Sequence, residues 1–581
     1  MTRRPVLIAN SSGFYGDRDT AAREMVDGGP IDVLTGDYLA ELTMLILWKA
    51  RRKDPDAGYA RTALGHLEQV LGTCLDRGIK IVTNAGGLNP AAFARRAGEL
   101  AEKLGLHPRI AYVTGDDLLP RLDELRAAGH PLANMDTGQP LAAVAAEPAT
   151  ANAYLGGWGI AAALDGGADI VICPRVTDAS LVTGPAAWWH GWARDDFDAL
   201  AGAVVAGHVI ECGPQATGGN YSFLGEITDR RYPGFPIAEV AHDGSSVITK
   251  HPGTGGLVSV GTVTAQLLYE IGGPEYLGPD VVSHFDSIEL EQVGTDRVRV
   301  SGVRGTPPPS YVKVGINTLG GYRNSMSFVL CGLDIEAKAS LVREQLESSV
   351  GSDGLTWRLA RTDHPDADTE QAASALLTVH IEDGDAARAG RAFSQAAVEL
   401  ALASYPGCTL TTQPGEASPY GVFTSEYIGQ SAVDHVAVAP DGRRIPIPAP
   451  TEFAGQLWVG SISGGFPLPN GSTKRAPLGT VVGARSGDKG GDANLGVWAR
   501  TDAGWAWLNA FLSVDRLKEL LPECAPLKVQ RVMLPNLRAL NFVIEGLLGR
   551  GVAASTRFDP QAKALGEWLR SRLVDIPEAL L

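Results

Sequence analysis

Arg175 and Asp178 stand three residues apart, just beyond the strand-like run 169–173, apolar from Ile170 to Cys173, in the segment NAYLGGWGIAAALDGGADIVICPRVTDAS. A guanidinium can anchor a carboxylate or phosphate, and a nearby carboxylate can take a proton. The plain alternative is an ion pair that caps the next helix. Similar polar groups follow other short apolar runs: Asp17 in NSSGFYGDR, Asp37 and Glu41 in TGDYLAEL, Asn84 in TNAGGLNP, Asp116 in TGDD, and Asn152 itself. For each Asp or Asn the alternative is a helix cap, which is favoured for Asp116. Cys212, Thr217 and Asn220 share the loop ECGPQATGGNYS; no base partner for the thiol is visible locally. Lys250 and His251 open the loop KHPGTGG, whose backbone N–H groups suit a phosphate or carboxylate. Asp488 and Lys489 lie in SGDKGGDAN, as a salt-bridged turn or as functional groups.

These groups need elements to position them. The first 180 residues repeat one theme, a short apolar strand, a polar loop and a helix, which predicts a doubly wound, mostly parallel α/β sheet. Strands are expected at 6–9, 31–34, 79–83, 109–113 and 169–173. Helices are expected at about 38–52, with Leu39, Leu42, Thr43, Ile46 and Leu47 on one side, at 91–104 and at 153–164. In such a sheet all the loops at the carboxyl ends of the strands share one edge, so Asp17, Asp37, Asn84, Asp116 and Asp178 should converge. No GxGxxG follows the first strand and no GxxxxGK[ST] occurs, which weakens nicotinamide and nucleoside-triphosphate readings.

After residue 208 the pattern turns β-rich. EVAHDGSSVITK has the Asp-Gly signature of a hairpin, and SIELEQV and DRVRVSGV alternate as antiparallel strands do. A stretch rich in proline and glycine, 440–477, marks a boundary between a domain at 1–455 and a second at 475–577. The second has strands around SGDKGGDAN, at 529–534 and 539–544, and helices at 514–521 and 561–573, which suggests a ferredoxin-like α+β sandwich.

The bulk properties exclude several classes. At 581 residues the chain exceeds one hydrophobic core. Its net charge of −16 argues against sequence-independent nucleic-acid binding. Six cysteines show neither CxxC spacing nor a companion histidine cluster, so no structural zinc or disulfide framework is supported. There is no apolar run of membrane-spanning length, and a cytoplasmic protein without a membrane partner is expected.

Taken together, NSSGFYGDR, GDYLAELTM, TNAGGLNP, the 152–180 segment, ECGPQATGGNY, ITKHPGTGG and ARSGDKGGDANLGV resemble the acyclic terpene utilisation AtuA family with its appended ferredoxin-fold domain. One departure is ICPR, where a glycine is expected before Arg175. The resemblance implies catabolism of branched acyl-CoA thioesters and suggests a hydroxyacyl-CoA lyase step. It carries onto Asp17, Asp37, Glu41, Asn84, Asn152, Arg175, Asp178, Cys212, Asn220, Lys250, His251, Asp488 and Lys489.

The resulting expectation is lyase or hydratase chemistry on a carboxylated or hydroxylated acyl-CoA, through a thioester enolate. Asp37 or Asp178 would be the base and Arg175 the carboxylate anchor. Asn84, Asn152 or loop N–H groups would donate to the oxyanion, and Lys250 and His251 would hold the coenzyme A phosphates. No cofactor is assigned; a divalent metal between Asp37 and Asp178 is an option without ligand spacing to support it. A homo-oligomer is expected. Two alternatives stay open, a non-catalytic partner of an acyl-CoA enzyme and a Cys212-dependent acyl transferase. Replacing Arg175 by alanine is expected to lower turnover by orders of magnitude with little change in melting temperature.

Overall fold

Adjacent residues of the strand Ile170–Ile172 point into two different cores, Val171 to one side and Ile170 and Ile172 to the other. Because both sides are apolar, this strand has no polar face to give to solvent and must be covered twice. The same holds for Ile8 and Ala9, Val33 and Leu34, and Ile81 and Val82. Helices Ala21–Asp27, Thr62–Arg77 and Pro90–Lys103 cover one side. Helices Trp158–Asp165, Ser180–His190 and Phe197–Ile210 cover the other.

The structure, a computed structural model, describes residues 3–144, 146–455 and 471–581. Val6–Asn10, Val33–Gly36, Lys80–Thr83, Ile170–Ile172 and Ile110–Thr114 are neighbours in that order and parallel. The expected doubly wound sheet is therefore present, with the strand before Arg175 between the third and fourth parallel strands. The expected hairpin forms as Pro236–Val240 and Ser246–Lys250. It does not start a separate sheet but continues this one antiparallel beside Val6–Asn10, followed by Arg297–Ser301 and Glu289–Gly294. At the opposite edge Val436–Val438 and Arg444–Pro446 complete eleven strands.

Two local expectations are corrected. The helix expected from 153 starts only at Trp158, because Pro148–Ala153 is a strand and Gly156 and Gly157 form the entry. A β-carbon on Gly156 would fall 2.1 Å from the Asp280 carboxylate, whose other oxygen accepts the Gly157 N–H at 2.6 Å. The helix Glu41–Lys53 buries Thr43 and Leu47, whereas Leu42 and Ile46 are exposed. The apolar stripe read from the sequence is thus split between core and surface.

The described residues form two compact units. The first comprises the described residues of Met1–Asn317, Phe423–Val552 and Asp559–Leu581; the second comprises Thr318–Val422 and Ala553–Phe558. In the second, residues 322–331 pair antiparallel with Ser374–Asp383, which pairs with Leu355–Ala360. Phe328, Leu330, Val342, Leu346 and Phe393 fill its core against the helix Ile335–Val350. Part of the expected boundary segment, 456–470, lies outside the described residues.

Within the first unit, the C-terminal part of the chain, Ala553–Phe558 apart, packs around a four-stranded antiparallel sheet, ordered Val482–Lys489, Asp492–Ala499, Ala539–Ile544 and Val529–Leu534. Helices Asp502–Phe511, Val514–Leu520 and Leu565–Ser571 accompany it. The first of these was not read from the sequence. Its apolar side carries three aromatic residues, Trp505, Trp507 and Phe511, with lower helix propensity than leucine or alanine.

Candidate functional site

The carboxyl ends of the parallel strands do meet. Asn84, at the end of Lys80–Thr83, donates from Nδ2 to Asp37 Oδ1 at 2.6 Å and accepts the Tyr38 N–H at 2.7 Å. Asp37 Oδ1 also takes the Leu39 N–H at 3.2 Å. Asn84 thus orients Asp37, and both its carbonyl and its amide are already engaged. Burial, and then the Asp178 charge, push the Asp37 carboxyl well above its ordinary acidity range, despite Arg175.

Asp116 is not the helix cap expected of it. Only 3% exposed, it accepts Asn152 Nδ2 at 2.8 Å and the Arg175 N–H at 3.3 Å. Burial lifts it to about 7, with Asp117 adding to the rise. Asn152 therefore holds Asp116, which holds the backbone of Arg175.

Arg175 Nη1 donates to Asp178 Oδ1 at 2.7 Å and to the Leu39 carbonyl at 3.4 Å. The ion-pair reading is therefore realised, yet the pair does more than cap a helix. The guanidinium carbon stands 4.1 Å from the centre of the Tyr154 ring, and Lys313 Nζ stands 4.6 Å from the same centre. Glu41 accepts from Tyr154 Oη at 3.2 Å and Lys313 Nζ at 3.4 Å. Burial alone would raise Glu41, but Lys313 and Arg175 hold it down at about 2. Two cations are thus gathered against one aromatic ring, each with its own carboxylate.

A second group of acids faces this one. Glu211 follows the apolar helix Phe197–Ile210, and Glu270 precedes Ile271-Gly272-Gly273. Asp488 ends the strand Val482–Lys489 of the C-terminal sheet. Burial, reinforced by Asp178 and Glu270, raises Glu211 well above its ordinary range. Glu270 is raised to about 7 by burial and Asp488, and Asp488 to about 6 by burial and Glu41. Asp178, Glu41 and Lys313 keep about a third of their side-chain surface open (30%, 33% and 33%), so solvent reaches the cluster.

Among the residues expected at the site, Asp37, Asn84, Asn152, Arg175, Asp178, Cys212, Asp488 and Lys489 belong to this neighbourhood; four do not act there. Lys250 is 6% exposed, pairs with Asp296 at 3.0 Å and donates to the Thr254 carbonyl at 2.8 Å. His251 bonds the Met25 carbonyl at 2.8 Å. Neither is presented to a phosphate, because Asp296 and the Thr254 carbonyl hold Lys250 and the His251 ring packs against Gly28 and Gly29. Asp17 accepts the Gly13 and Arg18 N–H groups and so organises its own turn. Asn220 is exposed in a left-handed turn (φ 67°).

Cys212 lies beside acids, not a base. Burial, Glu211 and Glu270 push its thiol well above the ordinary range, towards the unreactive protonated form. Among the described residues no three or more His, Cys, Asp or Glu side chains are arranged to hold a metal ion, so the Asp37–Asp178 metal option gains no donor set.

Glu211, Glu270, Lys313 and Tyr154 were not singled out as site residues. Two signals were present: a lysine between two buried valines in YVKVGIN, and an acid ending an otherwise apolar helix. Each is ambiguous without the fold that brings it to the strand ends.

No helix among the described residues is long and apolar enough to cross a membrane. Neither a curated protein nor a solved structure matches the chain. Residues 6–439 match the model of the acyclic terpene utilisation family protein AtuA, and residues 476–575 match that of the AtuA ferredoxin-like domain. With most of its length accounted for in this way, the chain belongs to the acyclic terpene utilisation family AtuA.

Proposed function

We propose that the protein is an enzyme of branched or carboxylated acyl-CoA metabolism, working by lyase or hydratase chemistry through a thioester enolate. The family's role in acyclic terpene utilisation supplies the substrate class. One observation carries the reaction type: carboxyl groups that burial raises towards neutrality, Glu270 to about 7 and Asp488 to about 6, share a cluster with Arg175 and Lys313. An acid–base catalyst works best when its acidity lies near the working pH. Cations held on Tyr154 suit a substrate carboxylate or a developing oxyanion.

In this reading Glu270, raised by burial and by Asp488, moves the proton next to the thioester carbonyl. Arg175 and Lys313 receive the negative end of the substrate. Asn84 and Asn152 act through Asp37 and Asp116, not on the substrate. The Cys212 transferase alternative has no support from the surroundings of the thiol.

The test is a panel of acyl-CoA thioesters assayed for stabilisation and turnover, with Arg175→Lys beside the native protein. A thioester that binds only the folded protein must raise its melting temperature. Arg175→Lys keeps the charge but loses the planar fork, and turnover should fall at least a hundredfold. Arg175→Ala is less informative than its sequence suggests. Removing the guanidinium strands Asp178 and Asp37, at a cost of about 3 kcal/mol. Native turnover by Arg175→Lys, or a panel without a single ligand, would count against the proposal.

A further inference from the structure

Glu270 has a left-handed backbone (φ 59°), a conformation rarely held by a residue with a long side chain. What keeps it there comes from the C-terminal sheet. Asn494 Oδ1 accepts the Glu270 N–H at 2.7 Å, and Asn494 Nδ2 donates to Asn541 Oδ1. Asn541 Nδ2 in turn donates to the carbonyls of Ile271 at 3.1 Å and Gly272 at 3.0 Å. Both asparagines are completely buried, and their carbonyls and amides all have partners.

Their placement follows from strand alternation. Ala493, Leu495 and Val497, with Leu540 and Phe542, face the domain's own core. Asn494, Gly496 and Asn541 therefore face the other way, where Gly496 abuts Leu268. The strand bearing Asn494 pairs with Val482–Lys489, which ends in Asp488 and Lys489. The sheet that clamps 270–272 thus also delivers the partner acid.

We propose that Asn494 and Asn541 are positioning residues that lock the 270–272 turn so that the Glu270 carboxyl faces Asp488, which makes the C-terminal domain half of the acid–base site. The inference rests on the acid–base reading above, and its test separates the two.

The test uses the full chain and a cycle of thermal melts between pH 5 and 8, without substrate. Glu270→Gln is compared with the native protein, then with and without Asn541→Leu; Asn494→Ser replaces the second change if the first does not fold. A clamped, desolvated Glu270 ionises at a cost, so Glu270→Gln should gain in melting temperature as pH rises through this range. Without the clamp the carboxyl reaches water, and the pH-dependent gain should shrink to less than half. An equal gain in both backgrounds would overturn the proposal. Wild-type turnover by Glu270→Gln would instead sink the catalytic reading and leave the clamp result standing.

Discussion

Asn84 and Asp37 come from the ends of neighbouring parallel strands and meet at 2.6 Å, a bond between residues 47 positions apart. Asn84 has two partners, so Asn84→Ala leaves both the Asp37 carboxyl and the Tyr38 N–H short of a bond in a buried place. A loss of about 2–4 kcal/mol is expected, from two buried groups at about 1–2 kcal/mol each. Chemical denaturation measures it; a change below about 0.5 kcal/mol would show that water replaces the amide.

Asp116 gives a prediction with a defined sign. Its folded-state acidity of about 7 lies above the ordinary value of 3.8, so the native state keeps the proton where the unfolded chain has lost it. Stability associated with this group is full below about 4 and is lost as pH rises towards 7. Asp116→Asn cannot ionise but keeps an oxygen for Asn152 and the Arg175 N–H. Relative to native, its stability should improve between pH 4 and 7 by at most about 1.4 kcal/mol per pH unit and level off above. A pH-independent difference would contradict this account.

Much of this arrangement was legible before the structure. The apolar run before Pro174 has no polar face, which specifies a strand covered on both sides, and parallel pairing then brings Asp37, Asn84 and Arg175 to one edge. The second half of the site was not legible. Glu211, Glu270 and Lys313 arrive from a helix end, a turn and a distant strand, and no local pattern says which way their side chains point. Lys250 and His251 misled for the related reason that their partners, Asp296 and the Met25 carbonyl, are remote in sequence. Asp116 reads as a cap in the sequence because its actual partner, Asn152, lies 36 residues away.

Cys212 separates the acid–base reading from a thiol mechanism. With Glu211 and Glu270 beside it, the thiol should react with iodoacetamide more slowly than a free cysteine. Cys212→Ser should turn over within about threefold of native. Rapid labelling together with complete loss of activity would favour the acyl transferase.

The pH dependence of kcat/KM, for whichever acyl-CoA thioester the panel identifies, tests the central claim most directly. Glu270 and Asp488, raised to about 7 and about 6, should produce a break between about pH 6 and 7. Glu270→Gln should lose that break together with at least a hundredfold in rate. A Glu270→Gln variant with the native rate and profile would contradict the assignment of proton transfer to this site.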